Sequence, residues 1–461
     1  MNFRQFCIPP ALWQRLQQLL FTGDHTENFC FGLVKPFRRR SGLAYLVEEI
    51  LPCARLDYEG RSGGGLTMTR SASNRLNVMA RDAAELGLIP VHFHSHPPGC
   101  ANFSGYDDLH EAKLHQWLRT VNQPLLISVV IPYSGQPVAR LWVEGEVEHL
   151  PIRVGLQPIV GFAHSNNKAL ARQSAFGSGL SAAAANMSVA IVGTGGIGML
   201  VAEQLVRCGF RSFVLVDPDI VESTNLNRLN SAFSSDIGKK KVVAAARLIK
   251  NCAAALGIDA EVAPFPEDIY NARNRVQEMV RQCDLVLALT DDQLSRIHTL
   301  TLAMDGGAEF LSAGVDIRIG DDGDVEGLYA EILGGERNRF CPVCAGRLDP
   351  AEAAIEARRY VGGIVAEHAK RAGYLPDIPA PAVMSLNSTA AGMLVLEIQR
   401  RVSGLGRRDL IHVDWQSGAV RAIERGDVQL SNSCSFCGRS TKTQREILDR
   451  MYGSDDTGIA E

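Results

Sequence analysis

The chain has 461 residues, 46% hydrophobic and 21% charged, and its 47 Lys and Arg against 51 Asp and Glu give a net charge of −4. At roughly 150 residues per domain this length accommodates two or three domains, each able to bury a core. The composition excludes a disordered or fibrous chain, and the balance offers no basic field that would draw nucleic acid.

The pattern divides the chain into regions. Residues 1–150 open with an amphipathic helix over Pro10–Leu20. Apolar segments then fall between turn clusters at Phe29–Val34, Ala44–Ile50, Leu88–Phe93, Leu125–Ile131 and Ala139–Val143, interrupted by helical stretches at Ser71–Leu86 and Asp107–Thr120. That order predicts α+β packing around a mixed sheet. Residues 151–187, with Asn166, Asn167 and the small-residue run Gly177–Asn186, read as a linker. Over 188–440 the pattern becomes strand, glycine loop, helix, strand: Ser188–Val192, Met199–Cys208, Ser212–Val216, then a helix over Lys240–Leu256 and a buried strand at Asp284–Leu289. This spacing predicts βαβ units, a parallel Rossmann-like sheet and an α/β chain as a whole. The polar tail 441–461 is expected to fray.

No apolar run approaches the ~18 residues needed to span a bilayer. The N-terminus, with Arg4 and Arg15, lacks the apolar core of a signal peptide. The expectation is a cytoplasmic protein without a membrane or nucleic-acid partner. Eleven cysteines, an odd number, then imply reduced thiols and metal ligands rather than a disulfide framework. Cys7, Cys30, Cys53, Cys100, Cys208, Cys252 and Cys283 occur singly and are expected to pack as small apolar residues.

His94-Ser95-His96-Pro97 is followed by Asp107, with ten residues between His96 and Asp107. On an extended segment, residues i and i+2 share a face, so His94 and His96 can present imidazoles to one ion while a loop returns Asp107 to it. Two histidines and an aspartate leave Zn²⁺ an open fourth position, the requirement of a hydrolytic site. These residues, with Ser104-Gly105-Tyr106-Asp107, resemble the JAMM (MPN+, JAB) metallopeptidase motif. The resemblance implies an upstream glutamate before a Gly-Leu strand. Glu27, in Glu27-Asn28-Phe29-Cys30-Phe31-Gly32-Leu33, fits that context better than Glu48 or Glu49. It also implies Glu27 as general base and Ser104 as hydrogen-bond donor to the oxyanion. His92 is expected to pack or to support the ligands.

Gly193-Thr194-Gly195-Gly196-Ile197-Gly198 follows a strand and opens a helix, where backbone N–H groups and the helix dipole favour phosphate. Asp217-Pro218-Asp219 closes the next strand at ribose distance, 24 residues beyond Gly193. Then come Asn225-Leu226-Asn227-Arg228, Asp236-Ile237-Gly238-Lys239-Lys240-Lys241 and Thr290-Asp291-Asp292 with Arg296. Cations and a strand-end aspartate converging on a glycine loop suit a triphosphate with Mg²⁺ better than a dinucleotide. The set resembles the ThiF/MoeB family, the adenylating core of ubiquitin-activating enzymes, over residues 168–440. Carried over, the resemblance implies ATP bound by Gly193, Gly195, Gly196 and Gly198, with Asp217 on the ribose, Asn225, Arg228 and Lys241 on the phosphates, and Asp291 on Mg²⁺. It further implies Arg172, beside Gln173, as an arginine finger donated across a homodimer. Asp219 and Lys239 are motif members.

Cys341-Pro342-Val343-Cys344 and Cys434-Ser435-Phe436-Cys437 are two C-x-x-C pairs of the kind that together close a tetrahedral structural zinc site. No cysteine lies between Cys344 and Cys434, where ubiquitin-activating enzymes carry a catalytic thiol. Ser385, Ser388 and Thr389 are the hydroxyls there, expected as polar residues before a helix.

Together the resemblances imply a fusion like those of bacterial ubiquitin-like operons, some serving sulfur transfer and some antiviral defence. Its substrate would be a ubiquitin-like β-grasp protein, cleaved at its C-terminus by the first domain and adenylated on its terminal glycine by the second. Conjugating-enzyme-like or sulfurtransferase partners would follow. The alternatives are adenylation of a ribosomal peptide, sulfur-carrier activation for cofactor biosynthesis, or a scaffold with both sites silent.

Overall fold

A computed structural model describes residues 3–23, 26–62, 65–164, 166–320, 322–336, 340–357, 382–423, 431, 434, 436 and 437. The tail expected over 441–461 lies outside the described residues. The described chain divides into two compact units, one ending at Phe162 and the other beginning at Ala163.

The first unit contains β1 (Phe3–Ile8), α1 (Pro10–Leu20), β2 (Phe29–Arg39), β3 (Gly42–Pro52), β4 (Tyr58–Ser62), β5 (Gly65–Met68), α2 (Arg70–Glu85), β6 (Ile89–His96), α3 (Gly105–Thr120), β7 (Leu125–Pro132), β8 (Val138–Val143), β9 (Glu146–Leu150), β10 (Ile152–Val154) and β11 (Gln157–Val160). Nine strands form one sheet in the order β11-β10-β1-β3-β2-β6-β7-β8-β9, and β4 pairs with β5. Strand β6 is central, antiparallel to β2 and parallel to β7. Its alternation sorts the two faces. Ile89, Val91 and Phe93 join Leu16 and Leu20 of α1 in one core, while α2 and α3 pack the opposite face through Met79, Ala83, Leu118 and their neighbours. The unit runs twelve residues past the sequence-based boundary at 150 because β10 and β11 complete its sheet, β10 lying parallel to β1.

The second unit contains α4 (Gly177–Asn186), β12 (Ser188–Val192), α5 (Gly196–Arg207), β13 (Ser212–Val216), α6 (Lys241–Ala255), β14 (Glu261–Phe265), α7 (Asn274–Arg281), β15 (Leu285–Ala288), α8 (Gln293–Gly306), β16 (Glu309–Ile319), β17 (Val325–Gly335), α9 (Pro350–Ala357), α10 (Met384–Val402), β18 (Leu410–Asp414) and β19 (Ala419–Ile423). Its eight-stranded sheet runs β14-β13-β12-β15-β16-β17-β18-β19. Strands β14 to β16 are mutually parallel, and β16 to β19 antiparallel. The small-residue run read as a linker is helix α4: Ala182, Ala183 and Ala184 are buried with Leu180, and alanine is the strongest helix former. No described helix is long and apolar enough to cross a membrane.

Candidate active sites

The period of two on β6 carries His92, His94 and His96 to the face covered by α2 and α3. Asp107 reaches them because Ser104 starts α3 with a capping box. Asp107 N–H donates to Ser104 Oγ (3.2 Å), and Ser104 N–H donates to Asp107 Oδ2 (2.7 Å). His94 Nε2 lies 3.3 Å from Asp107 Oδ1, His96 Nε2 lies 3.5 Å from Oδ2, and the two Nε2 atoms are 3.1 Å apart. A tetrahedral ion with bonds of about 2.0–2.1 Å needs donor separations of about 3.3–3.4 Å, so this donor set fits Zn²⁺.

Burial depresses the His94 imidazole. Burial also opposes the charge on Asp107, but His94, His96 and Ser104 outweigh it and hold the carboxyl far below the carboxylate range. Asp107 and Glu27 raise His96 against the same burial. The Ser104 hydroxyl donates to Asp107 Oδ2 (2.6 Å).

Glu27 is half-buried in the same cavity, about 950 Å³, whose walls include Phe29, Phe31, Met68, Leu76 and Trp117. Burial pushes its carboxyl up, in the direction a general base needs, against the pull of His96. Glu48 and Glu49 lie on β3 outside this cavity, Glu49 3.7 Å from Arg15.

In the second unit the glycine loop leaves β12 through Gly193, whose φ is +93° and whose Cβ, if it had one, would lie 2.6 Å from Leu289 O. A Cβ at Gly198 would meet Gly193 O at 2.0 Å. The loop can therefore turn into α5 only with glycine at both places. The buried Asp217 carboxylate ties the loop to β13. Thr194 N–H and Oγ1–H donate to Oδ2 (2.7 and 3.1 Å), and Asp219 N–H donates to Oδ1 (2.9 Å).

Gly193, Gly195, Gly196, Asp217, Asp219, Asn225, Arg228, Lys241 and Asp291 all line one cavity of about 870 Å³. Lys241 Nζ pairs with Asp219 Oδ2 at 2.7 Å, and Arg228 Nη1 donates to Thr224 O (2.8 Å). Asp292 caps α8 at Ser295 N–H (2.7 Å), which holds Asp291 at the cavity rim.

Three motif residues stand apart. Gly198, whose bare Cα lets α5 approach Gly193 O, does not line the cavity. Lys239 turns to Asp236 (3.3 Å) and does not line the cavity. Arg172 is exposed on the short helix Lys168–Phe176, outside the cavity of its own chain. The cavity also takes Asn387 from α10 and Arg318, Tyr329, Arg347 and His412 from the region of β16 to β18. No motif marks these five residues, since the antiparallel strands and α10 contribute them singly. Ser385, Ser388 and Thr389 open α10, and the Thr389 hydroxyl donates to Ser385 O (3.0 Å).

Cys341, Cys344, Cys434 and Cys437 converge, with Sγ separations of 4.0 Å (Cys341 to Cys434) and 3.5 Å (Cys344 to Cys437). These straddle the edge of about 3.8 Å expected for four thiolates at about 2.3 Å from Zn²⁺. Four sulfurs leave no open position, so an ion here would be structural.

Residues 168–424 match the ThiF family. Over 164 residues the chain is 30% identical to ubiquitin-like modifier-activating enzyme 5 of Gallus gallus, covering 34% of this chain and 39% of that protein. Over 140 residues it is 27% identical to the NEDD8-activating enzyme E1 catalytic subunit of Caenorhabditis elegans, covering 27% and 32%. The chain thus spans two fifths or less of these relatives' length. Among solved structures, E. coli MccB with ATP aligns over 89% of this chain and 100% of that one at 15% identity and TM-score 0.43.

Proposed function

Because the chain belongs to the ThiF family, we propose that it adenylates the C-terminal carboxylate of a ubiquitin-like protein, and that its first unit is a JAMM-type zinc peptidase acting on the same protein. The observation that carries the first half is the single cavity shared by the glycine loop, Asp217, Asn225, Arg228, Lys241 and Asp291. In the reaction a carboxylate oxygen of the substrate attacks the α-phosphorus of ATP, and the bond from that phosphorus to the bridging oxygen breaks. The products are an acyl-adenylate and pyrophosphate. Arg228 and Lys241 would balance the charge on the departing phosphates, and Asp291 would hold Mg²⁺. The relatives' names, a ubiquitin-like modifier-activating enzyme and a NEDD8-activating enzyme, support this substrate class. With no cysteine between Cys344 and Cys434, the acyl group would pass to a nucleophile supplied by a partner.

The peptidase half rests on the fit of His94, His96 and Asp107 to a zinc ion with Glu27 in the same cavity. Zn²⁺ would supply Lewis acidity there. Glu27 would accept a proton from the attacking water and return it to the leaving amine. Cleavage would expose the glycine carboxylate that the second unit activates, or would free the modifier from its targets. Cys341, Cys344, Cys434 and Cys437 would hold a second, structural zinc.

Intact mass spectrometry of a candidate ubiquitin-like protein, incubated with this chain with and without ATP–Mg²⁺, tests both halves. The expected products are a shortened protein ending in glycine and an ATP-dependent adduct of one AMP. Glu27→Ala should abolish the first and Asp291→Ala the second. An AMP adduct that survives Asp291→Ala, or trimming that survives Glu27→Ala, overturns the corresponding assignment.

A further inference from the structure

A histidine that ligates a metal through one ring nitrogen usually donates the other N–H to a carboxylate, carbonyl or water, and that bond fixes the ring plane. No protein group among the described residues does this for His94. Its side chain is buried, and among the described residues its Nδ1 has no hydrogen-bond partner. Near-parallel rings surround it instead. The His92 ring lies 5.6 Å from that of His94 at 9°, and Phe29, paired with His94 across the sheet, lies 6.2 Å away at 13°. Phe29 and His92 are themselves 5.3 Å apart at 22°. Phe103 closes against His94 edge-on at 6.0 Å.

His92 is the member of this group with an anchor. Its Nε2 lies 3.2 Å from Glu111 Oε1 and touches Ser128 Oγ, so it is directed to α3 and β7 and away from the ligand atoms. Glu111 is held in turn, its Oε2 accepting from Arg140 Nε (2.8 Å) and Trp142 Nε1 (2.7 Å). Arg140 also covers the Phe103 ring at 3.7 Å. The lattice from β8 through α3 to His92 is buried throughout, with His92, Glu111 and Arg140 at 3%, 1% and 4% exposure.

We propose that His92 is a positioning residue. Anchored by Glu111, it sets the plane of the His94 imidazole by ring packing, where no protein group among the described residues holds Nδ1. The inference rests on the reading that His94, His96 and Asp107 hold zinc. It assigns a role to the third histidine of the His92-Phe93-His94-Ser95-His96 run, which the peptidase motif leaves without one.

The test is zinc binding by the full chain, followed by chelator competition and metal counting, with His94→Ala as the reference that retains only the four-cysteine ion. Co²⁺ difference spectra against the same reference isolate the ligand field at His94. His92→Ala should weaken the histidine-bound zinc by about 10–100-fold and shift the Co²⁺ bands, leaving the cysteine-bound ion unchanged. His92→Phe, which keeps a flat ring, should recover part of the affinity. Should His92→Ala fail to fold, Glu111→Gln carries the test and should move both readouts the same way. Affinity within twofold of wild type and unchanged bands in the variants that fold would overturn the proposal. A wild-type chain that binds one zinc, as His94→Ala does, would instead remove the metal reading beneath it.

Discussion

Glu111 shows how one buried side chain can make the first unit sensitive to acid. Burial alone would push its carboxyl up, but His92 and Arg140 reverse that and hold it at about 2. The folded value thus lies below the ordinary 4.5. Ionised Glu111 therefore stabilises the fold fully above about pH 5, and the contribution disappears as pH falls toward 2. A difference of this size corresponds to something on the order of 3 kcal/mol. Unfolding by denaturant, followed by tryptophan fluorescence, should report it, since Trp13, Trp117 and Trp142 lie in this unit and only Trp415 lies outside. Wild type should lose more stability between pH 6 and pH 3 than Glu111→Gln, which should start lower at pH 7. Parallel losses in the two proteins would show that the pairing contributes no acid sensitivity.

At the scale of elements, the two motif-bearing segments were legible because local chemistry alone fixes them. Strand β6 reads as a strand from Val91 and Phe93 and its alternation places His94 beside His96, whereas the helix expected from Asp107 starts at Gly105 because Ser104 caps it. The glycine loop reads equally well, since Gly193 and Gly198 meet backbone that excludes any side chain. Other elements depend on partners distant in sequence. The run Gly177–Asn186 has a linker's share of glycine and serine, and its alanines, good helix formers, settle as α4 where they and Leu180 are buried. Strands β17 to β19, which help carry Tyr329 and His412 into the cavity at the glycine loop, pair antiparallel beyond the last βαβ unit, a turn of topology that no local pattern announces.

The cysteine pairs belong to this scale too, because one zinc would join segments 93 residues apart in sequence. Phe340, Val343 and Phe436 beside them pack on the core of the parallel sheet. Cys434→Ser should therefore remove one zinc per chain by metal analysis and lower the melting temperature of the second unit by roughly 10 °C, a loss of a few kcal/mol. Full zinc content in that variant would exclude the four-sulfur site.

At the scale of the whole molecule, the proposed adenylation turns on whether one chain completes its own site. Arg172, the expected arginine finger, is exposed and does not line the cavity that holds Asp291. Its segment is tied down locally, Gln173 Nε2 donating to Arg207 O (2.6 Å), so reaching the phosphates of the same chain would require that segment to detach. A twofold dimer would remove the difficulty, each chain lending Arg172 to the other's cavity. Arg172→Ala and Asp291→Ala should then each reduce ATP–pyrophosphate exchange by about 10²-fold or more. Mixed and allowed to exchange subunits, the two variants should complement. In each mixed dimer one cavity carries both lesions and the other carries neither, so random pairing should restore about a quarter of wild-type exchange. Activity in the mixture no greater than that of the separate variants, with mixed dimers confirmed by native mass spectrometry, would place Arg172 in service of its own chain or of no cavity at all.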